Sequence, residues 1–156
     1  MDCEQLLALQ GEEFIKTLTD KYLAIIGNTI NVETMAVLNG YQHTLLAYRY
    51  FCEEVKSGGF VQLIQNGYGT YIFRNPFAKT LKTFGAENLS KLVYKAQNIY
   101  FEHAEELEKE TTEEQFLAMY VDFEDFDEIE EAFFEIEEEQ TALIVNHVKQ
   151  NRPLFL

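Results

Sequence analysis

Basic residues are scarce in this 156-residue chain. Twelve Lys and Arg stand against 27 Asp and Glu, a formal net charge of −15. That disfavours direct binding to nucleic acid, because phosphate contacts rest on Lys and Arg. Cysteine is nearly absent. Cys3 and Cys52 are too few for a disulfide framework and lack the C-x-x-C spacing of a zinc site. A reduced, cytoplasmic setting is expected, with Cys52 as a small core residue. No apolar run approaches the roughly 18 residues of a membrane span. The start, Met1-Asp2-Cys3-Glu4, has no basic region of the kind that opens a secretory signal. Pro- or Ser-rich linkers and internal repeats are missing as well, so one domain over residues 1–156 is expected. Hydrophobic residues make up 47% and aromatics 14% of the chain. That is enough to fill a core, so global disorder is unexpected despite the charge.

The charge is concentrated. Residues 102–139 hold 18 of the 27 acids and one base, Lys109, for a window charge of −17. The other 118 residues carry 11 bases and 9 acids, or +2. The window is not a solvated tail, since Phe116, Met119, Phe123, Phe126, Ile129, Phe133, Phe134 and Ile136 run through it.

Apolar spacing is helical almost throughout. A first helix is expected from near Gln5 or Gly11 to Ile26, ending at Gly27-Asn28. A second covers about Val32 to Lys56, with a break near Asn39-Gly40. Its latter half is apolar nearly all round, the mark of a central helix. Ser57-Gly58-Gly59 reads as its end. Phe60–Ile64 follows as a short apolar segment, and Tyr68–Phe73 reads as a strand or a loop. Asn75-Pro76 reads as an N-cap with Pro at the first helical position. A long helix from about Glu87 to Glu110 carries an inner stripe that includes Tyr100 and His103. Thr112 with Gln115 forms a capping box. The last helix runs from about Glu124 to Asn151. Its seam is Phe126, Ile129, Phe133, Ile136, Gln140, Leu143 and His147. Residues 152–156 leave as an extended apolar tail packing back. The expected architecture is therefore an all-α bundle of five to seven helices, with room for one minor β element.

Catalytic and metal chemistry find little support. The Glu-x-x-His pairs of a di-iron bundle are missing: Tyr100 precedes His103 by three residues and Ile144 precedes His147. A calcium loop starting at Asp122 would have Phe126 at its fifth position and no glycine. Asn66-Gly67-Tyr68-Gly69-Thr70 lacks the Lys and the spacing of a phosphate loop. His103 and His147 fall on apolar seams, where buried histidines without metal are expected. No enzyme, cofactor or metal site is expected.

The acidic window carries the functional reading. At ~1.5 Å per residue its 38 residues trace roughly 57 Å of helix axis. Eighteen carboxylates over that path give about one per 3.2 Å, close to the ~3.4 Å per phosphate along one DNA strand. On the last helix, Glu124, Glu128, Glu131, Glu135, Glu138 and Glu139 lie opposite the seam. Glu102, Glu105 and Glu106 crowd the end of the helix before it. These nine form the candidate partner-binding face. The alternative is a solvated face that serves solubility.

A second feature is Glu54-Val55 followed by Gly58-Gly59-Phe60, Gln62 and Asn66. It resembles the E-V-x-N-G-G-F-x-Q stretch, with an Asn soon after, of the DNA-mimic protein family, a bacterial family of acidic helical proteins. The resemblance extends over about residues 42–156, through Phe84-Gly85-Ala86, Ala96 and Phe123-Glu124-Asp125-Phe126-Asp127. Ser57 stands where Asn is usual, and Leu63-Ile64 replace aromatics. The resemblance implies an all-α fold and no known catalysis. Gly58, Gly59, Phe60 and Gln62 read as structural, with glycines for a positive-φ helix exit and Phe60 as a core anchor.

Together these readings point to an acidic binding protein whose partner is a basic protein, such as a DNA-binding regulator. The runner-up is an immunity or antitoxin-like protein that blocks a basic nuclease. The third is a protein with a pocket near the glycine motif. The oligomeric state is left open, a dimer included.

Overall fold

Short polar residues placed before apolar runs start four of the helices. In the computed structural model, which describes residues 1–156, four capping boxes are formed. Asp2 with Gln5 opens α1 (Cys3–Ala8), and Asn31 with Thr34 opens α3 (Val32–Met35). Asn39 with Gln42 opens α4 (Gly40–Gln65), and Thr112 with Gln115 opens α8 (Glu113–Asp122). Each cap satisfies backbone amides that the first turn leaves free, worth about 1 kcal/mol. The remaining helices are α2 (Gly11–Ile25), α5 (Gly69–Phe73), α6 (Phe77–Thr83), α7 (Glu87–Glu108), α9 (Asp125–Gln150) and α10 (Arg152–Phe155).

There is no strand, and there are ten helices rather than five to seven. The surplus lies in one-turn pieces. α1, α3, α5 and α10 have four to six residues each, too short to show a period and too short to persist without tertiary packing. Tyr68–Phe73, read from sequence as strand or loop, contains α5, with Ile72 and Phe73 buried. The expected extended tail winds into α10. Phe155 is fully buried there, and its carbonyl accepts from the Tyr22 hydroxyl at 2.6 Å. At residue 75 the expected cap is absent. Pro76 is the N-cap of α6, and the Asn75 amide donates backwards to the carbonyls of Thr70 and Tyr71.

α4 is the axis of the molecule. Leu45, Leu46, Tyr48, Phe51, Val55, Phe60 and Leu63 bury on its different sides, and α2, α5, α6, α7, α9 and α10 pack around it. The buried apolar side chains form one continuous cluster from Leu6 to Phe155.

α7 and α9 form an antiparallel pair. Near one end the Leu89 amide donates to the buried Gln140 Oε1 at 3.1 Å; near the other the His103 and Phe123 rings lie 5.4 Å apart. The α9 seam follows the expected Phe126, Ile129, Phe133 and Gln140, then departs. Leu143 is exposed, while Ile144, Val145 and Val148 are buried. The expected seam kept a 3.5-residue period. A straight helix has 3.6, so the buried face drifts by about 20° per heptad and reaches the next residue.

The two histidines depart from the expected burial, each for its own reason. His103 sits at a kink in α7 (φ −129°, ψ 22°), with its side chain 41% exposed. His147 is half-buried at the drifted edge of the seam, its ring stacked on Phe84 at 4.9 Å. Burial lowers its pKa from the ordinary histidine value.

Candidate functional site

The nine carboxylates expected to form a face are all exposed: Glu102, Glu105 and Glu106 on α7, Glu124 at the start of α9, and Glu128, Glu131, Glu135, Glu138 and Glu139 along it. The antiparallel packing puts the acidic end of α7 beside the start of α9. From Glu124 to Glu139, ten of 16 residues are Asp or Glu. That stretch is roughly 22 Å long, so it carries about one carboxylate per 2.3 Å, between the ~3.4 Å spacing of one DNA strand and the ~1.7 Å of the duplex. No group of three or more His, Cys, Asp or Glu side chains converges as a metal site would require.

Almost none of this charge is neutralised by the fold. Of the 18 acids in residues 102–139, Glu137 alone pairs with a Lys or Arg, namely Lys56, which also holds Glu12 at 3.1 Å. Glu106 lies 4.0 Å from His103. The carboxylates therefore repel one another across solvent, an interaction that salt screens over about 8–10 Å. Melting temperature should rise between about 10 mM and 300 mM salt, by about 2–4 °C for each kcal/mol of repulsion removed. A flat or falling curve by calorimetry would show that the acids are already neutralised.

Phe134 interrupts the acidic surface. It is 51% exposed on α9, with Glu131 one turn before it and Glu138 one turn after. Composition does not single it out, because it is one of eight apolar residues that run through the window.

The glycine motif bends the helix rather than ending it. The helix does not end at Gly58-Gly59. Only Gly59 leaves helical geometry (φ 75°, ψ −171°), and helix resumes through Gln65. In a straight helix Glu54 and Asn66 would be roughly 18 Å apart along the axis. Here one Glu54 oxygen, Oε2, accepts from both Gln62 Nε2 at 2.8 Å and Asn66 Nδ2 at 2.9 Å. The break at Gly59 folds the second limb back so that these three side chains meet. Gly58 contributes by absence, since a Cβ there would fall 2.0 Å from the Gln62 side chain. Tyr120 of α8 locks the break by donating to the Gly58 carbonyl at 2.8 Å. Phe60 is fully buried, stacked on Phe126 at 5.2 Å and edge-on to Phe51 at 5.7 Å, so it ties the second limb of α4 to α9. No local pattern ties Glu130 and Tyr120 to this site, which tertiary packing alone brings together.

Glu130 closes the break from the α9 side. Its carboxyl occupies the space that a side chain on Gly59 would fill, and its Oε2 is shielded from solvent without a hydrogen-bond partner. Burial and the neighbouring Asp127 raise its pKa to about 7, against an opposing pull from the Phe60 amide. The folded protein thus holds this proton up to about pH 7, whereas the unfolded chain releases it near the ordinary 4.5. Between those values the folded state binds more protons, so stability falls as pH rises and levels off above 7. After allowance for the solvent contact of a half-buried group, the loss is about 1–2 kcal/mol. Glu130→Gln should therefore match the parent near pH 4.5 and exceed it in denaturant melts at pH 8. Equal differences at both pH values would refute the assignment.

Cys52 is buried against Tyr48, and burial pushes its thiol up to about 12. That makes it an inert core residue rather than a nucleophile.

The family model described as DMP19-like protein matches residues 36–151. The chain belongs to the DMP19-like family. It is 32% identical over 153 residues to the DNA mimic protein DMP19 of Neisseria meningitidis serogroup B, across 97% of this chain and 92% of that one. The family match spans both features described above, the break in α4 and the acidic α7–α9 surface. No helix is long and apolar enough to cross a membrane.

Proposed function

We propose that this DMP19-like protein works by binding rather than catalysis, and that its acidic face occupies the DNA-binding surface of a basic protein in the cytoplasm. The observation that carries this reading is the unneutralised row of carboxylates on α9, continued by Glu102, Glu105 and Glu106 of α7. The likeness to a protein named as a DNA mimic supports it. A surface charged like a nucleic acid strand draws a cationic partner quickly, with strong dependence on salt. Phe134 adds what phosphates lack: a half-exposed aromatic face among carboxylates, on which a partner's arginine can stack. The fold already contains this pairing elsewhere, with the Arg74 guanidinium over Phe101 at 5.5 Å.

The test is capture from a lysate of the source cell at low and moderate salt, followed by competition on the purified partner. A basic DNA-binding protein should be retained at low salt and released as salt rises. DNA and this protein should exclude one another on it. A ternary complex with both bound would overturn the mimic reading. Capture of a nuclease whose cleavage is blocked would keep the face and change the partner to that of an immunity protein.

A further inference from the structure

Away from the acidic window, the turn after α2, helix α3, α4 and the α4–α5 turn enclose a cleft of about 460 Å³. It lies within the size range of small-molecule sites. In a chain with a net charge of −15, none of the residues lining it is charged. Its wall is built of tyrosine and asparagine, and most of them are held in place. Tyr50 and Tyr68 stack at 4.7 Å. The Tyr71 hydroxyl bonds to His43 Nδ1 at 2.8 Å. Asn75 is fixed by its two donations to the backbone of α5, and Asn66 by its donation to Glu54. Asn66 is a motif residue, so the break at Gly59 and the Glu54 clasp also set one wall of this cleft.

The Asn75 amide donates twice inside the fold and the Asn66 amide once, which leaves both carbonyl oxygens as acceptors and one Asn66 N–H as a donor. The hydroxyls of Tyr50 and Tyr68 have no partner in the fold. A preformed set of ring faces, amide carbonyls and hydroxyls without charge does not suit a phosphate or a metal cation. It suits an uncharged ring that offers an apolar face and several hydroxyl groups. We propose that this cleft is a binding site for a neutral, polyhydroxylated ring compound, a saccharide or a nucleoside, stacked on the Tyr50–Tyr68 pair and hydrogen-bonded by Asn66 and Asn75. The site is separate from the acidic face, since no residue lining it lies in 102–139.

The test is a nitrogen-15 chemical-shift titration of the full chain with chitobiose, cellobiose, uridine and uridine monophosphate. At least one neutral probe should give saturable shifts centred on residues 28–35, 50 and 66–75, with a Kd in the millimolar range or tighter. Saturation by the disaccharides alone assigns the ring to a saccharide, and saturation by uridine alone assigns it to a nucleoside. Tyr68→Ala should weaken the binding about tenfold or more, and Tyr68→Phe should keep most of it. Thr70→Leu fills the cleft with every tyrosine retained and should abolish binding, with melting temperatures confirming that all three variants fold. No saturation by any neutral probe up to about 10 mM would overturn the proposal. Tighter binding of the monophosphate than of uridine would do the same, as would shifts that survive Thr70→Leu.

Discussion

Gly59→Ala should be among the most damaging single substitutions in the molecule, costing about 2–4 kcal/mol in urea unfolding. Two separate effects add. At φ 75° and ψ −171° the backbone lies in a region that is essentially reserved for glycine, and forcing another residue into it costs about 1–3 kcal/mol. The added methyl would also fall 2.4 Å from the Glu130 carboxyl, which must then leave its place beside the break. The second effect can be removed without the first. In a Glu130→Ser background the methyl has room, so Gly59→Ala should cost only the backbone part. A double-mutant cycle should therefore show a coupling of about 1 kcal/mol between the two positions. Zero coupling would mean that Glu130 swings aside freely and that its contact with Gly59 contributes nothing. If Gly59→Ala itself cost less than about 1 kcal/mol, the break would not need its left-handed geometry.

The motif was legible as a glycine-dependent bend and not as what the bend accomplishes. Two consecutive glycines after an apolar helix read as a stop, and helical pattern rules cannot distinguish a stop from a single-residue break. What restarts the helix is tertiary: Phe60, Val61, Leu63 and Ile64 are all buried, and burying a phenylalanine side chain of this kind stabilises by about 1.5–3 kcal/mol. The partners of the break, Glu130 and Tyr120, are 71 and 61 residues away from Gly59 in sequence, beyond the reach of any local pattern.

The acidic face was more legible because its logic is local. A helix facing a core must turn its polar residues outward, so the exposure of Glu128, Glu131, Glu135 and Glu138 follows from the burial of Phe126, Ile129 and Phe133 on the opposite side. The same rule failed at Leu143 and His147, where the drift of the helical period had accumulated over two to three heptads. It failed also at His103, where α7 kinks. The short helices α5 and α10 were not legible as helices, since packing rather than propensity forms them, whereas α3 lies within the helix expected from Val32, ahead of the break near Asn39-Gly40.

The exposure of those carboxylates makes charge reversal a clean experiment. In the Glu131→Lys, Glu135→Lys, Glu138→Lys variant, three exposed side chains that make no ion pair or hydrogen bond in the fold are replaced by another good helix former. Six units of charge change at one surface, and repulsion within the window falls. The variant should melt at the same temperature as the parent or higher, most visibly at low salt. Its affinity for a basic partner should fall about 100-fold or more at low salt, with a shallower dependence on salt concentration, because the lost attraction is the part that salt screens. Surface plasmon resonance on the captured partner reads both quantities. Should the variant remain folded and bind as tightly as the parent, the acids of α9 serve solubility and the partner surface lies elsewhere. A drop in affinity that persists unchanged at high salt would mean that local packing around Phe134, rather than the field of the carboxylates, holds the complex together.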